Sequence, residues 1–435
     1  MSRPLDRRDF LRTSSALAAG LALGPLPFGR GDEPKLRLAG IGVGGMGSAD
    51  LGQFLQHPRV EVVAICDVDA RHLAAAGERA PKAKRFTDWR KMLATMSDGI
   101  DAVHVSTPDH THAPASMSAM NLGKHVYCQK PLTHDVHEAR RLRLAAAERK
   151  VVTQMGIQIH STSEYRTAVK LVRDGAIGKV EEVHSFSNKD WGYRGPAPEA
   201  SPVPDHLAWD LWLGTAPARP YADGHYHPGN WRRWVDFGCG TMGDMGIHIL
   251  DPVAKALDLG LPRSIVSRSE KPPADSHGVA NRVEYEFAGT DAIAEGFRLV
   301  WYDGASRPDP KGWPIEELPG QGSFFIGERG CMLLPHIGAP RLFPAKDVEA
   351  PKVEPVAGAN HWHLWVDACL GGAPTTAGFD YAGPLTEVLL LGVIANRFPG
   401  ERLDYDAAKV AIPNHEGAHA MLRRRYREGF EVKGL

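Results

Sequence analysis

Asp244 and His248 stand four residues apart in segment 241–251, and this is the spacing in the chain that best suits catalysis. If the segment is helical, these two side chains and that of Asp251 lie on one face. A histidine there can accept a proton from a hydroxyl group, because its ordinary pKa is near neutrality. The carboxylate of Asp244 can orient the imidazole or bind a neighbouring hydroxyl. An ordinary amphipathic helix that carries polar residues is the alternative interpretation.

A second group of candidates follows two short apolar runs, residues 102–106 and 125–128, which are predicted strands. The group consists of Thr107, Pro108, His112, Gln129 and Lys130. In a parallel sheet the carboxyl ends of the strands share one edge, and ligands bind there. We therefore expect the group to meet a cofactor at this edge, where Lys130 can stabilise a developing alkoxide as a fixed cation.

A glycine-rich turn separates a predicted buried strand, residues 35–42, from a predicted helix, residues 48–54. The turn has the pattern G-x-G-x-x-G and includes Gly42, Gly44, Gly45, Met46 and Gly47. Glycine permits the tight turn and lets backbone N–H groups approach a pyrophosphate, while the last glycine allows helix and strand to pack closely. The strand–turn–helix context therefore predicts a dinucleotide site.

Asp67 ends the next predicted strand, residues 60–66, twenty residues after Gly47. A carboxylate at this place accepts hydrogen bonds from the adenosine ribose hydroxyls and repels a 2′-phosphate. The predicted cofactor is therefore NAD, and NADP is less favoured.

Strands and helices alternate up to about residue 157, which predicts a doubly wound parallel sheet of the Rossmann type. Later runs, such as residues 282–287 and 295–301, alternate with period 2, which is typical of antiparallel strands with one covered face. The predicted fold class is α/β. The predicted domains are a cofactor-binding domain at residues 32–157 and a substrate-binding and oligomerisation domain at residues 158–435.

Four motifs together resemble the Gfo/Idh/MocA oxidoreductase family. They are the glycine turn, T-P-x-x-x-H at residues 107–112, K-P at residues 130–131 and D-x-x-x-H at residues 244–248. The resemblance extends along most of the chain. The family's common E-K-P is Q-K-P here, because Gln129 stands where a glutamate is usual.

The resemblance implies an NAD-dependent enzyme whose Lys130 contacts substrate and cofactor. Asp244 and His248 would serve the proton step while hydride leaves the same carbon. It also implies a C-terminal α/β domain with a large, mainly antiparallel open sheet, a cis peptide before Pro131, and a homodimer or homotetramer.

Aromatic residues concentrate in segment 191–231, and this favours a carbohydrate substrate. Trp and Tyr rings stack on sugar rings, and Arg binds ring hydroxyls. A loop with its own aromatic core is the alternative. The candidates for substrate binding are Gln158, His160, Tyr193, Trp231 and Arg232.

The first 31 residues stand apart from the rest. Arg7-Arg8 is followed by Phe10-Leu11-Arg12 and by a mild apolar run at residues 16–23, which resembles a twin-arginine export signal. We expect residues 1–31 to be this signal and the mature protein to be periplasmic. A cytoplasmic protein with a basic N-terminal arm is the alternative.

Composition excludes several other classes of protein. Lys and Arg number 51 against 52 Asp and Glu, so no basic excess is available to neutralise phosphates, and nucleic acid is not an expected partner. No run of 18 apolar residues exists to span a membrane in the mature form. The five cysteines are scattered without a C-x-x-C pair, and the paired histidines lack a third placed ligand, so we expect no metal.

These observations predict an exported NAD-dependent oxidoreductase that acts on a CH–OH group of a sugar, polyol or glycoside, with bound NAD that is recycled internally. Two alternatives stay open. One is a glycoside hydrolase or lyase that oxidises a sugar carbon transiently, and the other is a non-catalytic sugar-binding or redox-sensing protein. The sugar and the carbon that reacts are not encoded in any motif.

Overall fold

Six strands form one parallel sheet in the computed structural model, which describes residues 34–349 and 351–435. The strands are β1 (Leu36–Ile41), β2 (Val60–Cys66), β3 (Lys84–Phe86), β4 (Ala102–Val105), β5 (His125–Gln129) and β6 (Thr153–Gly156). The helices between them are α1 (Gly45–Leu55), α2 (Ala70–Arg79), α3 (Trp89–Met96), α4 (Asp109–Asn121) and α5 (Val136–Arg149). The strand order β3-β2-β1-β4-β5-β6, with every pair parallel, confirms the predicted doubly wound sheet.

The polar beginning of α4 is unusual, because it is buried. Asp109, His110, Thr111 and His112 are all buried although none of them is apolar. The strand before it, β4, is buried at every residue, as expected when helices cover both faces of a parallel sheet. A buried polar turn requires hydrogen-bond partners. The ring of His110 contacts backbone carbonyls of residues 212 and 237, Asp109 accepts from the N–H of Cys239, and the contacts of His112 belong to the site described below.

An eight-stranded sheet follows, and it is antiparallel except where β7 pairs with β10. Its strands are β7 (Val180–Ser187), β8 (Ser264–Ser267), β9 (Ala280–Glu286), β10 (Ile293–Gly304), β11 (Gln321–Gly327), β12 (Gly330–Pro335), β13 (Arg341–Pro344) and β14 (Arg402–Asp404). The remaining helices are α6 (Ser163–Arg173), α7 (Trp209–Leu213), α8 (Ile247–Leu257), α9 (His361–Cys369), α10 (Phe379–Ala395) and α11 (Glu416–Ala420). The α/β fold with a second, mainly antiparallel sheet is thereby confirmed.

The helix α8 carries the D-x-x-x-H motif into the core. Its apolar residues Ile247, Leu250 and Val253 are buried, and the helix packs against α6, α10 and the strands β7 and β11. A π-helical turn, Met242–Gly246, precedes it where the sequence predicts one uniform helix. Such turns are rare and often occur at functional sites.

Residues 188–240, here called the insert, connect β7 to this π-helical turn. The insert has its own aromatic core, which includes Trp209, Trp212, Trp231, Trp234 and Phe237. This core also packs against Val68, in the turn after β2. Backbone bonds join the two segments, because the N–H of Ala70 donates to His206 at 2.8 Å and that of Ala208 donates to Val68 at 2.9 Å.

The predicted export signal, residues 1–31, lies outside the described residues. Within the part of the chain that the structure describes, no helix is both long and apolar enough to cross a membrane.

Candidate active site

The carboxylate of Asp244 is the centre of a cluster of charged side chains. Lys130 donates from Nζ to its Oδ1 at 2.6 Å and to its backbone carbonyl at 2.9 Å. Arg232 reaches Oδ1 at 3.3 Å, while Lys189 and the indole N–H of Trp191 reach Oδ2 at 3.2 and 2.7 Å. Burial opposes ionisation, but the three cations outweigh it, so the pKa of Asp244 lies well below its ordinary value.

Lys130 is held at this cluster by the ends of two parallel strands. It follows the last residue of β5, and the Lys130-Pro131 peptide is cis, as the resemblance implied. The ring of His112 lies between the carbonyl oxygens of Pro131 and Thr107, at 2.8 Å from each. Burial lowers the pKa of His112 to about 4, so the ring is neutral and donates its one N–H to one of these carbonyls while it packs against the other, between the chain after β4 and the chain after β5. This bridge fixes the backbone from which Lys130 extends.

His248 lies one helical turn beyond Asp244 and does not contact its carboxylate. The residue is buried, and its Nδ1 has no hydrogen-bond partner among the described residues. Burial first, and then the charge of Lys130, place the pKa of His248 well below its ordinary value. The imidazole is therefore neutral near pH 7 and able to accept a proton.

Asp251 differs from the sequence expectation of one shared face. Its carboxylate is fully buried and accepts hydrogen bonds from His160 at 2.9 Å, Tyr165 at 2.8 Å and Tyr381. The π-helical turn inserts an extra residue per turn before α8, which rotates Asp251 relative to Asp244. Asp251 thus joins helices of the core and lies outside the charged cluster.

The glycine turn is built to receive a pyrophosphate. The helix α1 begins after Gly44 without any side-chain cap, so its first N–H groups remain available to an anion. Gly42 has φ of +78°, and a Cβ atom on Gly47 would come within 2.0 Å of the carbonyl oxygen of Gly42. Glycine is therefore required at both places, and the described residues fit the predicted dinucleotide. Gly45 and Met46 supply the first N–H groups of the helix.

Asp67 stands beside this turn, at the end of β2. Its Oδ2 accepts hydrogen bonds from the N–H groups of Val43 at 2.8 Å and Gly44 at 3.1 Å. Its Oδ1 accepts from Asp69 at 2.9 Å and lies 3.7 Å from the ring of His72. The carboxylate is thereby fixed next to the phosphate-binding turn, where the adenosine ribose of a dinucleotide lies in this fold.

Thr107, Pro108 and Gln129 also lie near the carboxyl edge of the parallel sheet, in different roles. Pro108 precedes α4, and the hydroxyl of Thr107 donates to its carbonyl at 3.3 Å. The side-chain amide N–H of Gln129 donates to Asp50 of α1, and its oxygen accepts from the backbone N–H of Lys130 at 3.3 Å.

The five predicted substrate-binding residues are not brought together. Arg232 reaches Asp244, and Trp231 stacks under it with the guanidinium 4.2 Å from the ring centre. Tyr193 lies in the insert, with its hydroxyl on the carbonyl of Pro196. The remaining two, Gln158 and His160, follow β6, where His160 is engaged by Asp251 and Gln158 has a buried, unpartnered Oε1.

Sequence reasoning missed two residues of the cluster's surroundings, Lys189 and His336. Each stands just after a strand, β7 and β12 respectively. Both strands belong to the mainly antiparallel sheet, in which the carboxyl ends do not share one edge, so the rule that selected Lys130 does not bring these residues to the site. His336 packs beside His248 with 5.4 Å between ring centres. The two histidines share a cavity of about 90 Å³.

Two family models match the chain. One, described as an oxidoreductase family with an NAD-binding Rossmann fold, matches residues 36–157. The other, the C-terminal α/β domain of the same oxidoreductase family, matches residues 163–300. The two together span more than half of the chain.

Among curated proteins, a glycosyl hydrolase family 109 protein of Saccharopolyspora erythraea is 32% identical over 208 residues, which cover 41% of this chain and 45% of that protein. Inositol 2-dehydrogenase of Corynebacterium glutamicum is 32% identical over 150 residues, which cover 34% of this chain and 43% of that protein. The chain therefore spans less than half the length of these curated relatives.

Solved structures share the fold. WlbA dehydrogenase from Bordetella pertussis, in complex with NADH and UDP-GlcNAcA, superposes with a TM-score of 0.62 at 16% identity, over 86% of this chain and 99% of that chain. Aldose-aldose oxidoreductase from Caulobacter crescentus superposes with a TM-score of 0.57 at 17% identity, over 85% and 99%. The chain belongs to the Gfo/Idh/MocA oxidoreductase family, and its N-terminal part is that family's NAD-binding Rossmann domain.

Proposed function

We propose that this protein oxidises a hydroxyl-bearing carbon of a sugar, polyol or glycoside, with NAD as the hydride acceptor. The observation that carries the proposal is the cluster of Lys130 on Asp244 beside His248, at the edge of the sheet where the glycine turn also ends. A sugar-binding module would not need a fixed cation and a neutral imidazole at one place. The inositol 2-dehydrogenase relative supports the same class of substrate.

Each member of the cluster has a distinct task in this reaction. His248, neutral because it is buried, accepts the hydroxyl proton of the substrate. Lys130 stabilises the negative charge that develops on the same oxygen, and Asp244 holds the ammonium group in place. NAD, when bound, takes up the hydride. Arg232 offers further N–H donors to substrate hydroxyls, with its guanidinium packed on Trp231.

The proposal includes export and a retained cofactor. Twin-arginine export carries folded proteins, so NAD can be bound before transport, and outside the inner membrane there is no nicotinamide pool to exchange with. Each cycle would then return NAD to its starting oxidation state, through a second substrate or within one substrate. The backbone bonds between the insert and the turn after Asp67 support a cofactor that leaves slowly.

A second candidate function is glycoside cleavage by transient oxidation. Bound NAD would supply a reversible hydride acceptor for this reaction. Once one sugar carbon is a carbonyl, a base can take the acidified adjacent C–H proton and the aglycone leaves and takes up a proton. Water then adds to the double bond that is formed, and return of the hydride to the carbonyl gives the free sugar. The family 109 glycosyl hydrolase relative favours this candidate, which uses the same cluster.

One experiment separates these functions. The protein is purified without added cofactor and denatured, and the supernatant is assayed for nicotinamide. The native protein is then incubated with a panel of polyols, sugars and aryl glycosides, while cofactor absorbance and released aglycone are followed together. Bound NAD with reduction on a polyol or sugar supports the oxidoreductase, and aglycone release without net reduction supports the hydrolase. Protein that arrives empty and reacts only with added free NAD contradicts the retained cofactor.

The predicted domain bounds, residues 32–157 and 158–435, and a homodimer or homotetramer complete the proposal. The two matched family segments, residues 36–157 and 163–300, support the bounds. Light scattering on the purified protein measures the oligomeric state.

A further inference from the structure

Two imidazole rings meet at the substrate side of the candidate site. His248 lies on α8. His336 is the residue just after β12 and follows His248 by 88 positions in the chain. The ring centres are 5.4 Å apart and the planes are tilted by 49°. This separation allows a hydrogen bond between the rings when one nitrogen of each lies close to the line that joins the ring centres.

The ring of His248 lacks the carboxylate partner that commonly orients a catalytic histidine. Asp244 is the expected candidate, but its two carboxylate oxygens already accept hydrogen bonds from Lys130, Lys189, Arg232 and Trp191. The buried Nδ1 of His248 has no partner among the described residues, and neither has the buried Nδ1 of His336. Buried polar atoms without partners are uncommon in native proteins, so a pair of them in one cavity calls for a function.

The surroundings of the pair leave both rings neutral. Burial, followed by the charges of Lys189 and Lys130, lowers the pKa of His336 to about 4, while the carboxylate of Asp244 acts in the opposite direction. Burial and Lys130 lower the pKa of His248 in the same way, and a protonated His336 would lower it further, so His336 can assist His248 only while its own ring is neutral. Glu164 of α6 and Ser323 of β11 also line the cavity. Because two lysines already lie nearby, the pair of histidines can take up one proton but not two. A second proton would place two imidazolium cations side by side.

We propose that His336 shares the hydroxyl proton of the substrate with His248, as its hydrogen-bond partner and as the group that passes this proton on to solvent. The inference rests on the proposed function, because it extends the role of His248 as the base.

Each bond that breaks in this transfer has a matching acceptor. The O–H bond of the substrate breaks, and its proton moves to one ring nitrogen of His248. The C–H bond of the same carbon breaks, and its electron pair leaves with the hydrogen to the nicotinamide, so that a carbonyl remains. His248 then gives the proton on its other nitrogen to the facing nitrogen of His336, and His336 releases a proton to the cavity. Both rings end neutral, and solvent has gained one proton.

The first test needs no substrate, so that it stays informative if no substrate of the panel reacts. Protein labelled with ¹⁵N-histidine is titrated by NMR, and the signal of His248 is identified by its loss in His248→Ala. A neutral His336 stabilises the protonated form of His248 by accepting its N–H. We therefore expect the proton affinity of His248 to be about tenfold lower in the His336→Ala variant. In His336→Gln, whose amide oxygen can accept the same N–H, part of this affinity should be recovered.

An unchanged or stronger proton affinity of His248 in His336→Ala overturns the inference, and so does a His248 that takes up no proton before the native protein unfolds. Leu144→Ala is the control. This side chain lies on α5, is 44% exposed and is not among the residues that line the cavity, so its removal should leave the titration of His248 unchanged. Bound nicotinamide and near-UV circular dichroism check that each variant is folded.

The second test uses turnover of the substrate that the panel identifies. We expect His336→Ala to lower kcat by a factor of about 10 to 100 with KM changed less than about threefold. Added imidazole should restore kcat, and a series of substituted imidazoles should restore it in proportion to their basicity. Pyrazole, of similar shape but weakly basic, is the control. Equal rescue by pyrazole shows that His336 only fills space, and a wild-type kcat in His336→Ala contradicts a part in proton transfer.

Discussion

The side-chain amide of Gln129 donates to both carboxylate oxygens of Asp50, at 3.1 and 2.9 Å. Asp50 also accepts from Ser106 at 2.7 Å and from the indole of Trp362 at 2.8 Å, so the donors of three side chains meet one buried carboxylate. This contact explains why a glutamine stands where the family usually has glutamate. A glutamate would place a second carboxylate against the first, and both would be buried.

We expect Gln129→Glu to destabilise the protein by about 1–3 kcal/mol near pH 7. Burial already raises the pKa of Asp50, and a second carboxylate raises the pKa of the pair further. A group whose pKa is raised on folding is most stabilising below its unfolded value, so the loss of stability should grow as pH rises from about 4. Urea unfolding across pH measures this.

The double variant Asp50→Asn with Gln129→Glu exchanges the amide and the acid. It should recover most of the stability that Gln129→Glu loses, because an amide and a carboxylate would again face each other across the same contact. Equal instability of the double and the single variant would show that Asp50 is not the reason for Gln129.

We expect Lys130→Met, Asp244→Asn and His248→Ala each to lower kcat by a factor on the order of 10² or more. Lys130 is bonded to Asp244, and His248 lies one helical turn further along the chain, where it lines the cavity. The glycine turn that fits the pyrophosphate is a separate segment. Bound NAD, assayed after denaturation, should stay at the wild-type level in each variant. Lys170→Met, at an exposed lysine of α6, is the control and should keep wild-type kcat. Near-normal turnover of His248→Ala would rule out His248 as the base.

We expect cofactor-stripped protein to bind NAD roughly 10- to 100-fold more tightly than NADP, or about 1.4–2.8 kcal/mol. The fixed carboxylate of Asp67 beside the turn repels a 2′-phosphate. Asp67→Asn should reduce the difference by weakening NAD and strengthening NADP. Calorimetry with both cofactors measures it, and equal affinities of the wild-type protein would contradict the assignment of Asp67.

The acid limb of kcat/KM should lie below the ordinary histidine pKa of about 6.5, because burial and Lys130 depress the pKa of His248. Lys189 adds to this depression, so Lys189→Met should move the limb to higher pH. Loss of a positive charge makes it easier to protonate His248, and activity is then lost earlier as pH falls. Movement of the limb to lower pH in this variant would exclude His248 as the group that titrates.

The sequence predicted those parts of the site that depend on local rules. Lys130 and Asp67 follow buried strands, and the glycine turn lies between a strand and a helix, so each could be placed from nearby residues alone. The meeting of Lys130 with Asp244 required a motif as well, because 114 residues separate them.

His336 and the surroundings of Asp251 could not be predicted in this way. His336 reaches His248 only because β12 pairs with β11 and α8 packs on β11, and these contacts are far apart in sequence. The prediction that Asp251 shares a helix face with Asp244 and His248 was wrong, because the π-helical turn changes the helical register. The sequence does not reveal this turn, since its two glycines are equally compatible with an α-helix. Most side chains of the aromatic segment form the core of the insert, and Trp191 is the one that reaches Asp244. Arg232, which follows the segment, also reaches Asp244.

The pairing of the insert with the turn after β2 has a consequence for biosynthesis. Asp69 is synthesised long before its partner His227, because 158 residues separate them. The carbonyl of His206, which accepts from the N–H of Ala70, is also synthesised much later than Ala70. A nascent chain that ends before residue 206 contains the whole glycine turn. The turn after β2, which is expected to lie beside the ribose, does not yet have its hydrogen-bond partners in the insert. We therefore expect stable loading of the nucleotide only after residues 206–227 have been synthesised. A loaded nucleotide would then mark a chain whose insert has already paired with the turn after β2.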